Sequence, residues 1–197
     1  MIPAFNHSHV LPPFLGDDPT LLAEVSPYQT SALELVQRLG GSPERRALLS
    51  GLFSYRKALA DLGFQQGFQW IDGSFVEDVE TIKQRSPGDI DVVTFAHSPA
   101  GVSTAEITVT LNANAQVFDA QLAKAHYGCE GYIVRLDGKP QSLVRRATYY
   151  FNLFSHRRDD HAWKGILQLP LESDDLAALD LMHNGDSVEG DQRVAAA

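Results

Sequence analysis

The sequence predicts an α/β (α+β) domain, and three observations carry that prediction. Two short runs rich in β-branched and aromatic residues, at 68–72 (FQWID) and 89–95 (DIDVVTF), are bounded by Gly, Ser or Asp and read as strands. Apolar residues recur at helical spacing in the first third of the chain, between Ser-Pro starts and Gly stops. The elements then alternate as helix, helix, strand, loop, strand, helix, strand, helix, with no internal repeat and no low-complexity block.

The elements follow in order. Residues 1–19 contain Pro3, Pro12, Pro13 and Pro19, and proline removes a donor and forces extended neighbours, so this arm is expected to be irregular. Ser26-Pro27 is expected to open a helix through Leu33, Leu35, Val36 and Leu39, which Gly40-Gly41 ends. Ser42 as N-cap with Pro43 at the first helical position starts a second helix, running through Leu48, Leu52, Tyr55 and Leu59 to Gly63. The strand at 68–72 stops at Gly73-Ser74, and a charged insert at 75–88 reads as irregular. After the strand at 89–95, residues 116–127 read as a helix, 132–136 as a strand halted by Asp137-Gly138, and 143–154 as a helix. The basic segment SHRRDDHAWK follows, and beyond Asn184 the small polar residues read as a disordered tail. The expected division is an arm with two helices at 1–66, a core at 67–183 and the tail at 184–197.

Composition narrows the function. Among 197 residues, 16 Lys and Arg against 25 Asp and Glu leave a net charge of −9, which makes a long nucleic acid an unlikely partner because each phosphate contact needs its own cation. One cysteine, Cys129, excludes an internal disulfide and a multi-cysteine metal site. No Lys or Arg precedes Arg38, so the charged start of a signal peptide is missing, and no run approaches the roughly 18 apolar residues of a membrane span. A cytoplasmic domain without membrane contact is expected. The Gly-x-Gly-x-x-Gly and P-loop patterns, the Gly-x-Ser-x-Gly elbow and the zinc-deaminase signature do not occur.

Asp89 and Asp91 are the sharpest chemical signal. Two positions apart on a strand, their carboxylates share a face, and two like charges so placed are mutually unfavourable unless a cation lies between them. Hard oxygen ligands of this kind suit Mg²⁺ (or Mn²⁺). Taken alone, the pair fits two solvated groups at a strand start better than a metal site. Gly73-Ser74, after the preceding strand, can present backbone N–H groups and a hydroxyl to a phosphate.

The order of strand, Gly-Ser, intervening segment and Asp-x-Asp, here QWIDGSF and then GDIDVVTF, resembles the nucleotidyltransferase superfamily of the DNA-polymerase-β type. The similarity is clear from Gly67 to Phe95 and extends in outline to Leu136. The N-terminal run (IPAFN, LPPFLG, SPY) also resembles a bacterial family that carries this core. The resemblance implies a nucleotidyltransferase-like mixed sheet with flanking helices, and a metal-dependent transfer of an NMP from an NTP to a hydroxyl of a protein, an RNA end or a small molecule. Asp89, Asp91 and a third acid would hold the metal, and Gly73 and Ser74 would cradle phosphates. If the later strand runs parallel to the one begun by Asp89, as the family fold implies, Glu130 is that third acid, because Asp137 would then lie about 20 Å away at roughly 3.3 Å per residue.

Two departures from the pattern stand out: an insert with Glu77, Asp78 and Glu80 that reads as a solvated face from which Glu77 could reach the metals, and a glutamate as third acid. Arg157 and Arg158 either favour a helix C-terminus or grip a phosphate. His7 and His9 lack a third ligand for a metal, Cys129 reads as a small buried apolar group, and Phe68 and Trp70 read as core. The minimal members of the superfamily often act on a protein partner, commonly in a toxin–antitoxin or defence pair, so a partner encoded nearby is expected. The alternative is a catalytically silent module that binds a nucleotide or a partner protein; a third is an interaction protein with Asp89 and Asp91 solvated.

Overall fold

The computed structural model describes residues 1–194, with side chains through residue 184. Five strands form one mixed sheet in the order β1-β5-β2-β3-β4: β1 (Tyr28–Gln29), β2 (Gly67–Asp72), β3 (Ile90–Ala96), β4 (Cys129–Arg135) and β5 (Leu167–Pro170). β2 runs antiparallel to both β3 and β5, whereas β3 and β4 are parallel, as are β1 and β5. The fold is therefore α+β, as expected. The helices are α1 (Ala32–Leu39), α2 (Pro43–Asp61), α3 (Val79–Lys83), α4 (Thr104–Ala113), α5 (Ala115–Phe118), α6 (Ala120–Tyr127), α7 (Pro140–Phe154) and α8 (Asp175–Val194).

The two faces of the sheet are covered differently. Ile90, Val92 and Ala96 of β3 pack into the larger core with Leu49, Leu52 and Leu59 of α2, whereas Val93 and Phe95 turn to the opposite face and pack beneath Phe154, Tyr150 and Phe151 of α7. That alternation is the period of two expected of a strand buried on both sides. Trp70 belongs to the α7 side: its ring lies 4.6 Å from Phe95 and its indole N–H donates to Gln168 at 3.0 Å. The approach of α2 to β4 leaves room only for glycine at Gly131, where a Cβ would lie 2.5 Å from the Tyr55 hydroxyl oxygen.

Several elements differ from the sequence reading. The first helix begins at Ala32, capped by Ser31, and not at Ser26-Pro27; the Ser26 hydroxyl instead accepts from Ile166 N–H at 2.8 Å while Tyr28 pairs with β5. The helix read across 116–127 breaks at Asp119, whose carboxylate caps α6 by accepting from two N–H groups. α4 lies where no element was expected, although its Ser103…Glu106 capping box is a sequence-level start signal. β4 starts three residues earlier than read, at Cys129, and the insert at 75–88 contains a 3₁₀ turn and α3. The stretch read as a tail continues α8 as far as Val194, and residues 195–197 lie outside the described residues. The physical reason is anchorage, because Asp174 and Ser173 cap α1 and the buried Ala178 and Met182 pack into the core. Once such a turn is nucleated, each further residue adds a hydrogen bond.

Two buried arginines on α2 tie the layers together. Eleven residues apart, Arg45 and Arg56 lie on one helix face. Arg45 donates to the backbone oxygens of Phe75 and Glu77, each at 2.7 Å, and pairs with Glu80. Arg56 pairs with Asp175 at 2.7 Å and donates to Gln69 and to the carbonyls of Pro170 and Leu171. Removing one partner from such a network strands buried acceptors, at a cost of about 3–5 kcal/mol. Arg56→Met is expected to lower the melting temperature by about 6–20 °C in a thermal unfolding scan. Lys57→Met, which removes an exposed i,i+4 pair with Asp61, should change stability by less than about 0.5 kcal/mol in the same experiment.

Candidate metal and phosphate site

Register alone places a row of acids at one end of the sheet. Asp72 on β2 stands opposite Asp91 on β3, and Asp91 stands opposite Glu130 on β4. Directly opposed residues share a face, so all three carboxylates emerge on the α7 side, in line with the apolar rows Trp70–Val93–Tyr132 and Phe68–Phe95–Val134. Asp89 precedes β3 by one residue and adds a fourth acid. Carboxylate oxygens of Asp89, Asp91 and Glu130 lie within 4.8 Å of one another. Because β3 and β4 are parallel, Asp137 lies beyond the opposite end of β4, paired with Arg135 at 3.1 Å.

The turn after β2 is shaped by the same acids. Gly73 has φ +84°, and a Cβ there would approach Asp91 Oδ2 to 2.7 Å. Only glycine lets this backbone reach the carboxylate without strain. Ser74 follows in the 3₁₀ turn, and both residues line a cleft of about 250 Å³ together with Asp89, Asp91, Glu130 and Arg158.

Two ammonium groups divide the acids between them. Lys164, whose side chain is 3% exposed, donates to Glu77 Oε1 at 2.8 Å and to the Gly73 carbonyl at 3.2 Å. Asp72 Oδ1 lies 3.2 Å from the same nitrogen, an ion pair whose angle does not complete a hydrogen bond, so that buried oxygen is left without a donor. On the other side Lys124 contacts Asp89 Oδ2 at 2.6 Å and Glu130 Oε2 at 3.1 Å, and the Tyr132 hydroxyl donates to Glu130 Oε1 at 2.6 Å. Asp91 lies between the two groups.

Titration follows from these contacts. Burial pushes the Asp91 carboxyl up to about 6, with the charges of Asp89 and Glu130 adding to it and Lys164 and Arg158 opposing. Burial likewise pushes Asp72 up to about 7 against the pull of Lys164. Glu130 is held below its ordinary value, first by the Tyr132 hydroxyl and then by Lys124. Lys164 is drawn down by burial, but Asp72 and Glu77 outweigh this and keep it above the ordinary lysine range.

Of the residues read from the sequence, Asp89, Asp91, Glu130, Gly73, Ser74, Arg157 and Arg158 all line this one cleft. Their roles differ. Arg157 is bound to Asp160 and donates to the Ser8 carbonyl at 2.8 Å, which ties the N-terminal arm to the wall of the cleft. Arg158 acts on Asp91 and Glu130 through its charge. The insert acids are not a solvated face: Glu77 is buried against Lys164, Glu80 pairs with Arg45, and Asp78 meets His9 at 2.9 Å. Sequence reasoning missed Asp72, Lys124 and Tyr132. For Asp72 the signal was present, since it follows Phe68 and Trp70 at period two.

An all-oxygen donor set with more carboxylates than ammonium partners fits a divalent hard cation. Among the described residues Lys124, which pairs with Asp89 and Glu130, is the one direct ion-pair partner of this three-acid cluster, and Asp91 has none. Fold and site thus define an α+β protein in which a carboxylate cluster and a Gly-Ser turn, in contact through Asp91, line one cleft. Residues 3–170 match DUF6932, described as a family of unknown function, and the chain belongs to that family. No curated protein and no solved structure matches it. Among the described residues no helix is long and apolar enough to cross a membrane.

Asp91 gives the cluster a pH signature. Its folded value of about 6 exceeds the ordinary 3.8, so the folded chain holds the proton at a pH where the unfolded chain has lost it. The ionised group therefore costs stability above pH 6, and the cost fades as the pH falls through 6 towards 4. In metal-free buffer, Asp91→Asn is expected to be more stable than wild type at pH 8, by about 3 kcal/mol, with the difference vanishing near pH 4. Paired thermal unfolding scans across that range would measure it.

Proposed function

We propose that the protein is a metal-dependent nucleotidyltransferase that acts in the cytoplasm, moving an NMP from a nucleoside triphosphate to a hydroxyl of a protein, an RNA end or a small molecule. The observation that carries this reading is the convergence of the Gly73-Ser74 turn and the Asp89, Asp91 and Glu130 carboxylates on one cleft, with Asp91 Oδ2 pressed against the turn.

Asp89, Asp91 and Glu130 would hold Mg²⁺ or Mn²⁺, which when bound supplies positive charge for the phosphate oxygens and for the attacking and departing oxygens. The rest of the work falls to the chain. Gly73 and Ser74 offer backbone N–H groups and a hydroxyl to the outer phosphates, and Arg158 adds a guanidinium to the same cleft. Lys164 holds the Gly73 carbonyl and Glu77 in place behind the turn. Glu130 is better supported as a metal ligand than as the base that takes the proton of the acceptor hydroxyl, because a carboxylate held ionised by Tyr132 and Lys124 is a weak proton acceptor. The resemblance to minimal nucleotidyltransferases implies, as the acceptor, a partner protein encoded nearby, as in toxin–antitoxin or defence pairs. A catalytically silent relative would not need its third acid to meet Asp89 and Asp91, which favours the catalytic reading.

Thermal unfolding with each of the four NTPs, with and without Mg²⁺ or Mn²⁺, tests the reading without knowledge of the acceptor. A ligand at about a hundred times its Kd adds roughly 2.7 kcal/mol, or about 5–11 °C for a chain of this size. The expected result is a metal-dependent rise for at least one NTP that is lost in the Asp89→Asn, Asp91→Asn variant. No shift under any condition, or an equal shift in the variant, would sink it.

A further inference from the structure

We propose that Lys124 is a resident counter-ion that occupies the cation seat of the carboxylate cluster, so that a divalent metal loads only by displacing it. The inference rests on the metal-dependent reading above and concerns what sets the metal concentration at which the site fills.

The geometry makes the two cations exclusive. The Lys124 ammonium lies 2.6 Å from Asp89 Oδ2 and 3.1 Å from Glu130 Oε2, and so bridges the acid before β3 to the acid on β4. A metal held by Asp89, Asp91 and Glu130 needs those same oxygens, and two cations at such distances repel one another. Among the described residues Lys124 is the ammonium in direct contact with this cluster; Lys164 serves Asp72 and Glu77 on the other side.

The two lysines differ in their freedom to leave. Lys164 is 3% exposed, and its nitrogen is shared among Asp72, Glu77 and a backbone carbonyl, so it is part of the fold. Lys124 has a 42% exposed side chain on the last turn of α6, at the edge of the cleft. Its backbone carbonyl accepts from Gly128 N–H at 2.9 Å whatever the side chain does, so the ammonium can swing into water without disturbing the helix end. A flexible four-carbon stem with a well-hydrated head suits a releasable counter-ion. The metal-free site is thereby kept partly neutralised, and the apparent metal affinity is lowered by the fraction of molecules in which Lys124 is seated.

The test titrates Mn²⁺, with no nucleotide present, into wild type, Lys124→Gln, Lys124→Arg and the control Lys57→Gln, and follows free Mn²⁺ by electron paramagnetic resonance. Lys57 pairs with Asp61 on the surface, so its loss makes the same charge change outside the site. If Lys124 is seated in about nine molecules of ten, Lys124→Gln should bind Mn²⁺ about tenfold more tightly. Lys57→Gln and Lys124→Arg should stay within about twofold of wild type. In case Lys124→Gln is too unstable without metal, lysine side-chain NMR of wild type gives a second measurement. The Lys124 signal should move to the position of a free, solvated lysine as Mg²⁺ is added. Binding of equal strength in Lys124→Gln and wild type, or a Lys124 signal that Mg²⁺ does not move, overturns the inference alone. Absence of Mn²⁺ binding in every protein overturns both the inference and the metal-dependent reading.

Discussion

Four carboxylates crowd one end of a five-strand sheet, and their mutual repulsion is the constraint around which the neighbouring structure is organised. Two unit charges about 4 Å apart repel by roughly 4 kcal/mol at an effective dielectric constant of 20. The chain meets this in two ways. Lys164, buried on the far side of the Gly73 turn, serves Asp72 and Glu77 permanently, whereas Lys124, at the mouth, serves Asp89 and Glu130. Asp91, held between them without an ammonium in hydrogen-bond contact, has its carboxyl pushed up to about 6, first by burial and then by the charges of Asp89 and Glu130.

Such a site holds its shape only if its walls are fixed from behind. The Gly73 turn is braced by Lys164 and the segment following it by Arg45, whose guanidinium binds two carbonyls of that segment. The segment from Ser155 to Lys164, which also lines the cleft, is closed by the His156–Trp163 bridge and joined to the N-terminal arm through Arg157 and Ser8. The two N-terminal helices thus do not cover the cleft. They lie on the other face of the sheet, and α2 reaches the site through one arginine.

Much of this was legible in the chain. The Ser42-Pro43 start of α2, β2 ending in Gly-Ser and β3 rich in β-branched residues are local signals, and each appears in the structure where local chemistry put it. Asp89 and Asp91 share a face by strand period alone. Less legible were elements whose stability comes from distant partners. β1 is two residues long and exists because β5 lies beside it; β5 itself, α8 and the cap that Asp174 provides to α1 join residues more than a hundred positions apart. The insert at 75–88 looked solvated because charge usually means exposure. Here Arg45 and Lys164 enter from other segments and turn Glu77 and Glu80 into structural groups.

By itself the sequence determined the strands that bear Asp72 and Asp91, the glycine turn that faces them and the two-residue spacing that aims Asp89 and Asp91 the same way. Those features depend on backbone sterics and periodicity over a few residues, which a linear string records. Only the tertiary structure decided that β4 lies parallel to β3 with Glu130 beside Asp91, that Asp72 joins the row, and that two lysines from remote segments divide the acids between them. Those outcomes depend on strand register and on charge meeting charge through space, and both are set by how the whole chain packs.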